Sequence, residues 1–146
     1  MSDIDDAPFA KYAIGQSVAR SEDPRLLRGD GRYSDDFSLP GQAYGYVFRS
    51  PFAHGVVTSL DVENARAVPG VLAVLTSVEM AVANIGPLPN TQPHKSRDGT
   101  PMIKPERPVL ATDKVRYRGQ AVAMIVAEST AVAKDAAELI EFDVEV

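Results

Sequence analysis

The sequence predicts an α+β domain in which short helices pack on a sheet, and three observations in its last third carry that prediction. First, Ala121-Val-Ala-Met-Ile-Val-Ala127 is an unbroken apolar run containing β-branched residues, of a length that suits a strand buried on both faces. Second, Val132, Ala136, Leu139 and Ile140 recur at i, i+4, i+7 and i+8, the apolar stripe of an amphipathic helix, with Lys134, Asp135, Glu138 and Glu141 outside it. Third, the period then falls to 2: Phe142, Val144 and Val146 alternate with Glu141, Asp143 and Glu145, the pattern of a half-exposed strand. Residues 117–146 thus read as one strand–helix–strand unit. Ser129 and Thr130 are N-cap candidates, because a hydroxyl there can accept a hydrogen bond from a free helix N–H. Alanines at 133, 136 and 137 leave little bulk, so the helix can approach the sheet closely. Leu139 is expected within the packed face.

Taken from its start, the chain opens on a polar, acidic stretch expected to be a frayed tail over residues 1–13. Residues 14–40 are dense in turn chemistry, with Gly15, Asp23-Pro24, Gly29-Asp30-Gly31 and Pro40-Gly41. They hold Arg20, Arg25, Arg28 and Arg32 and read as an ordered arm, with a short helical turn that places Pro24 near its first position. Two strands follow in close succession: Tyr44, Tyr46 and Phe48 alternate with Gly45, Val47 and Arg49, and Val56, Thr58, Leu60 and Val62 form the next alternating set. Asp61 can cap a short helix over 62–68 that Pro69-Gly70 ends. Val71-Leu-Ala-Val-Leu75 reads as another buried strand. Thr76-Ser-Val-Glu79 has the spacing of a capping box, so a second helix begins there and runs toward Ala83. Residues 84–108 have no period and six prolines, with Asp98-Gly99 as a turn; they are expected to be the most mobile internal segment. Val109-Leu110 and residues 114–117 are short extended pieces leading through Gly119 into the apolar strand.

The 146 residues suit one domain, and 45% hydrophobic with 24% charged residues is ordinary for a globular protein. A net charge of −5 argues against a general nucleic-acid binder, which needs a basic surface to displace counterions. The charge is uneven: Lys95, Arg97, Lys104, Arg107, Lys114, Arg116 and Arg118 make 84–118 a basic, proline-rich loop, whereas the residues beyond it are acidic. With no cysteine, the chain supplies no disulfide, Cys-ligated zinc, iron–sulfur ligand or thiol nucleophile. This fits a cytoplasmic protein. No apolar run approaches the ~20 residues of a membrane span.

No catalytic constellation emerges from residue types and spacing. His54 and His94 lie in different loops and neither has a second metal ligand at matched spacing, so both read as surface or turn histidines. Gly29-Asp-Gly-Arg-Tyr33 is glycine-rich but does not follow a strand and open a helix, and a plain turn accounts for it better than a phosphate loop. The stripe Tyr44, Tyr46 and Phe48 beside Arg49 has the chemistry to stack bases. Aromatics at period 2 are more often simply the core face of a strand, and the net acidity also weighs against stacking. Asp35-Asp36 could chelate a cation, but neighbours on an extended chain point to opposite sides, so solvated turn residues are the simpler reading.

Three stretches, in their order and spacing, resemble a known family. They are Val18-Ala-Arg-Ser-Glu-Asp-Pro-Arg-Leu-Leu-Arg-Gly-Asp-Gly-Arg-Tyr-Ser-Asp-Asp36; Arg49-Ser-Pro-Phe-Ala-His54 with Val68-Pro-Gly-Val71; and Leu110-Ala-Thr-Asp-Lys-Val-Arg-Tyr-Arg-Gly-Gln-Ala-Val-Ala123 with Asp135-Ala-Ala-Glu-Leu-Ile140. Together they resemble the N-terminal α/β-hammerhead domain of the molybdenum-binding large subunit of the xanthine dehydrogenase/aldehyde oxidase/carbon monoxide dehydrogenase family. The resemblance runs over 14–146. Its arm, from Arg20 to Asp36, is most similar to the carbon monoxide dehydrogenase type.

The resemblance implies an α/β-hammerhead fold, α+β with a small mixed β-sheet and packed helices. It implies a whole enzyme that hydroxylates or oxidises carbon with oxygen from water, passing electrons through iron–sulfur clusters and FAD in partner subunits or domains. Molybdopterin, its glycine-rich loops and the glutamate near the metal belong to the C-terminal part of the subunit, so no catalytic, cofactor-binding or metal residue is carried over to this chain. The expected role is a structural and assembly domain, inactive alone. Its contacts with the C-terminal molybdopterin-binding part and with the iron–sulfur and flavin partners would run through Arg20, Arg25, Arg28, Arg32, Lys104 and Arg107. The departure from the family is length: the pattern reads as a piece of a longer subunit, or as a gene supplying the hammerhead separately. The alternative reading is a free-standing module whose basic loop 84–118 binds an anionic partner.

Overall fold

The computed structural model describes residues 20–91 and 94–146; the expected frayed tail and the beginning of the arm lie outside the described residues. The chain divides into two compact units, Met1–Pro40 and Gly41–Val146. In the first, helix α1 (Asp23–Leu27) has Pro24 in its first turn, where a missing N–H is harmless, and buries no residue. A 3-10 turn follows at Ser34–Asp36.

The second unit holds β1 (Tyr44–Arg49), β2 (Gly55–Asp61), α2 (Glu63–Arg66), β3 (Val71–Leu75), α3 (Ser77–Val82), β4 (Lys114–Val115), β5 (Ala121–Ala127), α4 (Thr130–Ala137) and β6 (Glu141–Glu145). The α+β class expected from the sequence holds, with the strands divided between two three-stranded sheets, β1-β5-β3 and β4-β2-β6. Every strand pairing is antiparallel. Residues 117–146 do form strand, helix and strand, but β5 and β6 belong to different sheets.

β5 is the centre of its sheet because its side chains are small or branched. Ala123, Ile125 and Ala127 on one face are fully buried against Ala133, Ala136, Ala137 and Ile140, with Val62, Ala65 and Val74 completing the cluster. Burial on the other face is less complete: Val122 lies in a second cluster with Ala111 and Val115, while Met124 and Val126 are half-buried. The alanines of α4 meet the alanines of β5, which is the close approach their lack of bulk permits. Ser129 is the N-cap, its hydroxyl accepting from the Val132 N–H at 3.2 Å.

Three expected phases are corrected. Leu139 is 47% exposed and outside the packed face, because the helix ends at Ala137 and the next residues no longer follow its 3.6 period. The buried stripe is Ala133, Ala136, Ala137 and Ile140, with Val132 half-buried beside it. In β2, Val56 and Thr58 face solvent while Val57 and Leu60 turn inward; a β-bulge between Val57 and Ser59 inserts a residue and shifts the alternation. β3 is an edge strand rather than a buried one: only Val74 is fully buried, and a bulge between Val71 and Ala73 leaves Leu72 exposed. Gly55, at the start of β2, lies so close to the Glu145 carbonyl oxygen and a Val144 methyl that any Cβ would overlap both.

Candidate functional site

Two of the sequence motifs meet in space. The Arg49 guanidinium donates to the Gly119 carbonyl at 2.9 Å, the Ser50 N–H to the Gln120 carbonyl at 2.9 Å, and the Gly119 N–H to the Ser50 carbonyl at 2.9 Å. Gly119 has φ +86°, a left-handed conformation that glycine adopts without strain. Gln120 is buried, and its Oε1 accepts from the Arg116 N–H at 2.7 Å. Ser50 is also buried, its hydroxyl bonding both the N–H and the carbonyl of Phe52 at 3.1 Å. Each of these bonds joins one part of the chain to another. The junction is a structural fastening between the end of β1 and the start of β5, and residue-by-residue reading of the sequence did not single out Ser50 or Gln120.

A second polar network fixes α3. The Thr76 hydroxyl accepts from the Val78 N–H at 3.2 Å and donates to Glu79 Oε2 at 2.6 Å, and the Thr76 N–H reaches the same oxygen at 2.7 Å, which is the expected capping box. Arg66, on α2, donates to Glu79 Oε1 at 2.5 Å, to Glu63 Oε1 at 2.9 Å and to the Val74 carbonyl at 3.3 Å. Three elements are thereby clamped by one guanidinium. The Thr76 hydroxyl bond, foremost, followed by the backbone bonds and Arg66, holds the Glu79 carboxyl at about 2 from an ordinary 4.5, against a smaller opposing effect of burial.

The far end of α3 is closed by a left-handed residue, Asn84 at φ +55°. The Ile85 N–H donates to the Met80 carbonyl at 2.9 Å and the Asn84 N–H to the Ala81 carbonyl at 3.0 Å, the two bonds of a Schellman ending. Met80 and Ile85, the pair such an ending brings together, line a groove of about 320 Å³ together with Val109 and Leu110. Glu106, Asp113 and Arg116 also line it. A hydrogen bond from the Thr112 hydroxyl, first of all, lowers the Asp113 carboxyl below its ordinary range, with Arg116 and Lys114 adding to it. Although α3 is well capped at both ends, it buries no residue: Val78 is 65% and Val82 85% exposed.

The six expected contact residues, Arg20, Arg25, Arg28, Arg32, Lys104 and Arg107, are all exposed. Arg28 pairs with Asp30 at 3.3 Å; the other five have no ion-pair partner among the described residues. Leu27, Tyr33, Phe37 and Leu39 are exposed along the same arm. His54 and His94 are exposed, and among the described residues no group of three or more His, Asp or Glu side chains is placed to hold a metal ion. Tyr46 and Phe48 pack against the main cluster, so the aromatic stripe is a core face. In the acidic pair, Asp36 is occupied by the Tyr33 N–H at 2.8 Å. The basic loop contains one small hairpin, a bridge between Lys95 and Pro101 around the Asp98-Gly99 turn, where Asp98 accepts from the Thr100 N–H at 3.0 Å and from its hydroxyl. Those bonds, the hydroxyl's first, lower the Asp98 carboxyl. No helix among the described residues is long and apolar enough to cross a membrane.

Comparison with known proteins fits this fold. The chain is 39% identical over 132 residues to the carbon monoxide dehydrogenase large chain of Afipia carboxidovorans, a match covering 90% of this chain and 15% of that one. It is 37% identical over 117 residues to the xanthine dehydrogenase molybdenum-binding subunit of Escherichia coli O157:H7, covering 80% of this chain and 15% of that one. The solved structure of quinoline 2-oxidoreductase from Pseudomonas putida 86 is similar with a TM-score of 0.75 at 39% identity, covering 90% of this chain and 16% of that one. The chain therefore spans about one-sixth of the length of these relatives. Residues 28–146 match the family model of the aldehyde oxidase and xanthine dehydrogenase a/b hammerhead domain, and the chain belongs to that family.

Proposed function

We propose that this chain is the structural and assembly domain of a molybdenum hydroxylase large subunit, with no catalysis of its own. The observation that carries this is the pair of coverages: it matches the large chains along 80–90% of its own length and only 15–16% of theirs. In this role the remaining, C-terminal part of the subunit binds molybdopterin and performs hydroxylation or oxidation at carbon in the cytoplasm, with iron–sulfur clusters and FAD in partner subunits or domains. Arg20, Arg25, Arg28, Arg32, Lys104 and Arg107 supply contacts to those parts. Arginine suits this work because its planar fork holds a carboxylate through two parallel hydrogen bonds. The exposed apolar residues of the arm, Leu27, Phe37 and Leu39, support the same role.

The test is co-expression of this chain with the rest of the Afipia carboxidovorans large chain, tagged and with its matched segment removed. The chain is expected to stay with the tagged partner, and alanine at all four arm arginines to weaken retention. Elemental analysis of the purified chain alone should find no molybdenum or iron, and absorbance no flavin. Stoichiometric molybdenum in the chain alone would sink the assembly role. Failure to bind the large chain, together with salt-sensitive binding to an anionic matrix that charge removal in 84–118 abolishes, would identify a free-standing binding module instead.

A further inference from the structure

We propose that the exposed hairpin of the long loop, Lys95–Pro101, is a processing site for a protease specific for basic residues, and that the second unit cut there persists as a two-chain fold. The inference goes beyond the assembly role above and does not depend on it.

The first ground is the way the strands are distributed about the loop. Residues before the hairpin supply β1, β2 and β3, and residues after it supply β4, β5 and β6. Among the described residues every strand pairing joins one half to the other: β5 pairs with β1 and β3, and β2 with β4 and β6. Each half thus lays one strand between two of its counterpart's. Both buried clusters cross the same divide. Val62 and Val74 lie with Ile125 and Ala136 in one, and Val57 packs on Val115 and Val122 in the other. Neither half has a sheet of its own, so separating the halves requires that the whole unit unfold. A break in the loop backbone removes none of these contacts.

The second ground is the hairpin itself. Apart from half-buried Met102, residues 94–102 are exposed, and the hydrogen bonds described for them close on the segment. The Ser96 N–H donates to the Thr100 carbonyl at 2.9 Å, the Gly99 N–H to the Ser96 carbonyl at 2.9 Å, and the Met102 N–H to the His94 carbonyl at 3.3 Å. A segment bonded only to itself can open without disturbing the core, which is what a protease needs to draw out its substrate backbone.

Residue chemistry then selects the bond. Lys104 and Arg107 each precede a proline, whose ring nitrogen has no N–H and whose bulk hinders attack there. That leaves Lys95–Ser96 and Arg97–Asp98 as the loop's cleavable bonds. Elsewhere in the unit, Arg49, Lys114 and Lys134 lie within β1, β4 and α4, and Arg66 closes α2. Arg116 and Arg118 sit in the turn that the Gln120 and Ser50 bonds tie down. The step is hydrolysis: the oxygen of one water joins the carbonyl carbon of Lys95 or Arg97 as that amide breaks. The new ends are a carboxylate and the amino group of Ser96 or Asp98, and no cofactor is consumed.

The experiment digests the purified 146-residue chain with a limiting amount of trypsin and reads fragment masses in denaturant and co-elution on a native sizing column. Cuts at the exposed arginines of the arm trim the first unit and leave the second whole. The first cut within the second unit is expected after Lys95 or Arg97, with its two fragments eluting together in native buffer and apart in denaturant. The melting temperature of the cut form should fall on dilution while that of the uncut chain stays constant, because a fold of two chains depends on their concentration. Lys95→Gln with Arg97→Gln should lose the loop cut while trimming of the arm continues. Both positions are exposed, and digestion of the wild-type chain reads the site whatever the stability of the variant. First cuts after Lys114, Arg116 or Arg118, or loss of the unit with no cut intermediate, would overturn the site. Fragments that elute apart in native buffer would overturn the two-chain fold.

Discussion

Ile140 and Leu139 are adjacent, and their different fates show that burial, not hydrophobicity, sets what a side chain contributes. Ile140 lies in the main cluster with Ala136 and Ala137, whereas Leu139 is half exposed beyond the end of α4. Ile140→Ala should therefore cost about 2–4 kcal/mol, from lost transfer energy plus a cavity, and Leu139→Ala less than about 1 kcal/mol. Denaturant melts of the two variants check this, and equal losses would show that α4 is rotated. Gln120 makes the same point for a polar group. Its Oε1 is the partner of the Arg116 N–H, so Gln120→Leu leaves that half-buried donor without its acceptor. A loss of about 1–3 kcal/mol is expected from that single unmade bond, again read from denaturant midpoints.

Helix α3 is an element held mainly by charge and caps, so its stability should follow pH. The Glu79 carboxyl ordinarily titrates near 4.5 and is held at about 2 in the folded chain, foremost by the Thr76 hydroxyl. A depressed folded value means that the contribution is complete above the ordinary value, and is lost as the proton is taken up between about pH 5 and pH 2. Glu79→Gln should lower the midpoint at neutral pH, and the difference from wild type should shrink through that window. A difference constant down to pH 2 would exclude the ionised carboxylate as the cause. This helix was legible in the sequence because the capping box is local: Thr76 and Glu79 lie within one turn and their pairing needs no knowledge of the rest of the fold. The same is true of the Ser129 cap and of the apolar run that becomes β5. What the sequence hid is non-local or cooperative. The bulge that shifts β2 is set by its pairing with β6, the Arg49–Gly119 bond joins residues 70 apart, and an apolar letter does not reveal that Val78 and Val82 stay exposed.

Across the second unit, successive strands alternate strictly between the sheets: β1, β3 and β5 form one, β2, β4 and β6 the other. Neither sheet is a contiguous stretch of chain, so neither can complete itself while the other is unmade. The two buried clusters are likewise joined, since Phe48 and Leu60 pack against both, and Phe48 meets Phe142 of the opposite sheet edge-on with ring centroids 5.9 Å apart. A fold built this way should unfold as one unit, with its rate set by long-range pairing rather than by its short helices. Phe48→Ala is the sharpest probe, because it removes the ring that both clusters share. It should cost roughly 2–4 kcal/mol, somewhat under the full value for a completely buried phenylalanine. More tellingly, amide exchange should accelerate by the same factor in β5 and in β6, though these strands belong to different sheets, because both open through the same global event. Acceleration in one sheet alone would mean that the sheets are separate cooperative units and that the shared aromatic contact couples them weakly.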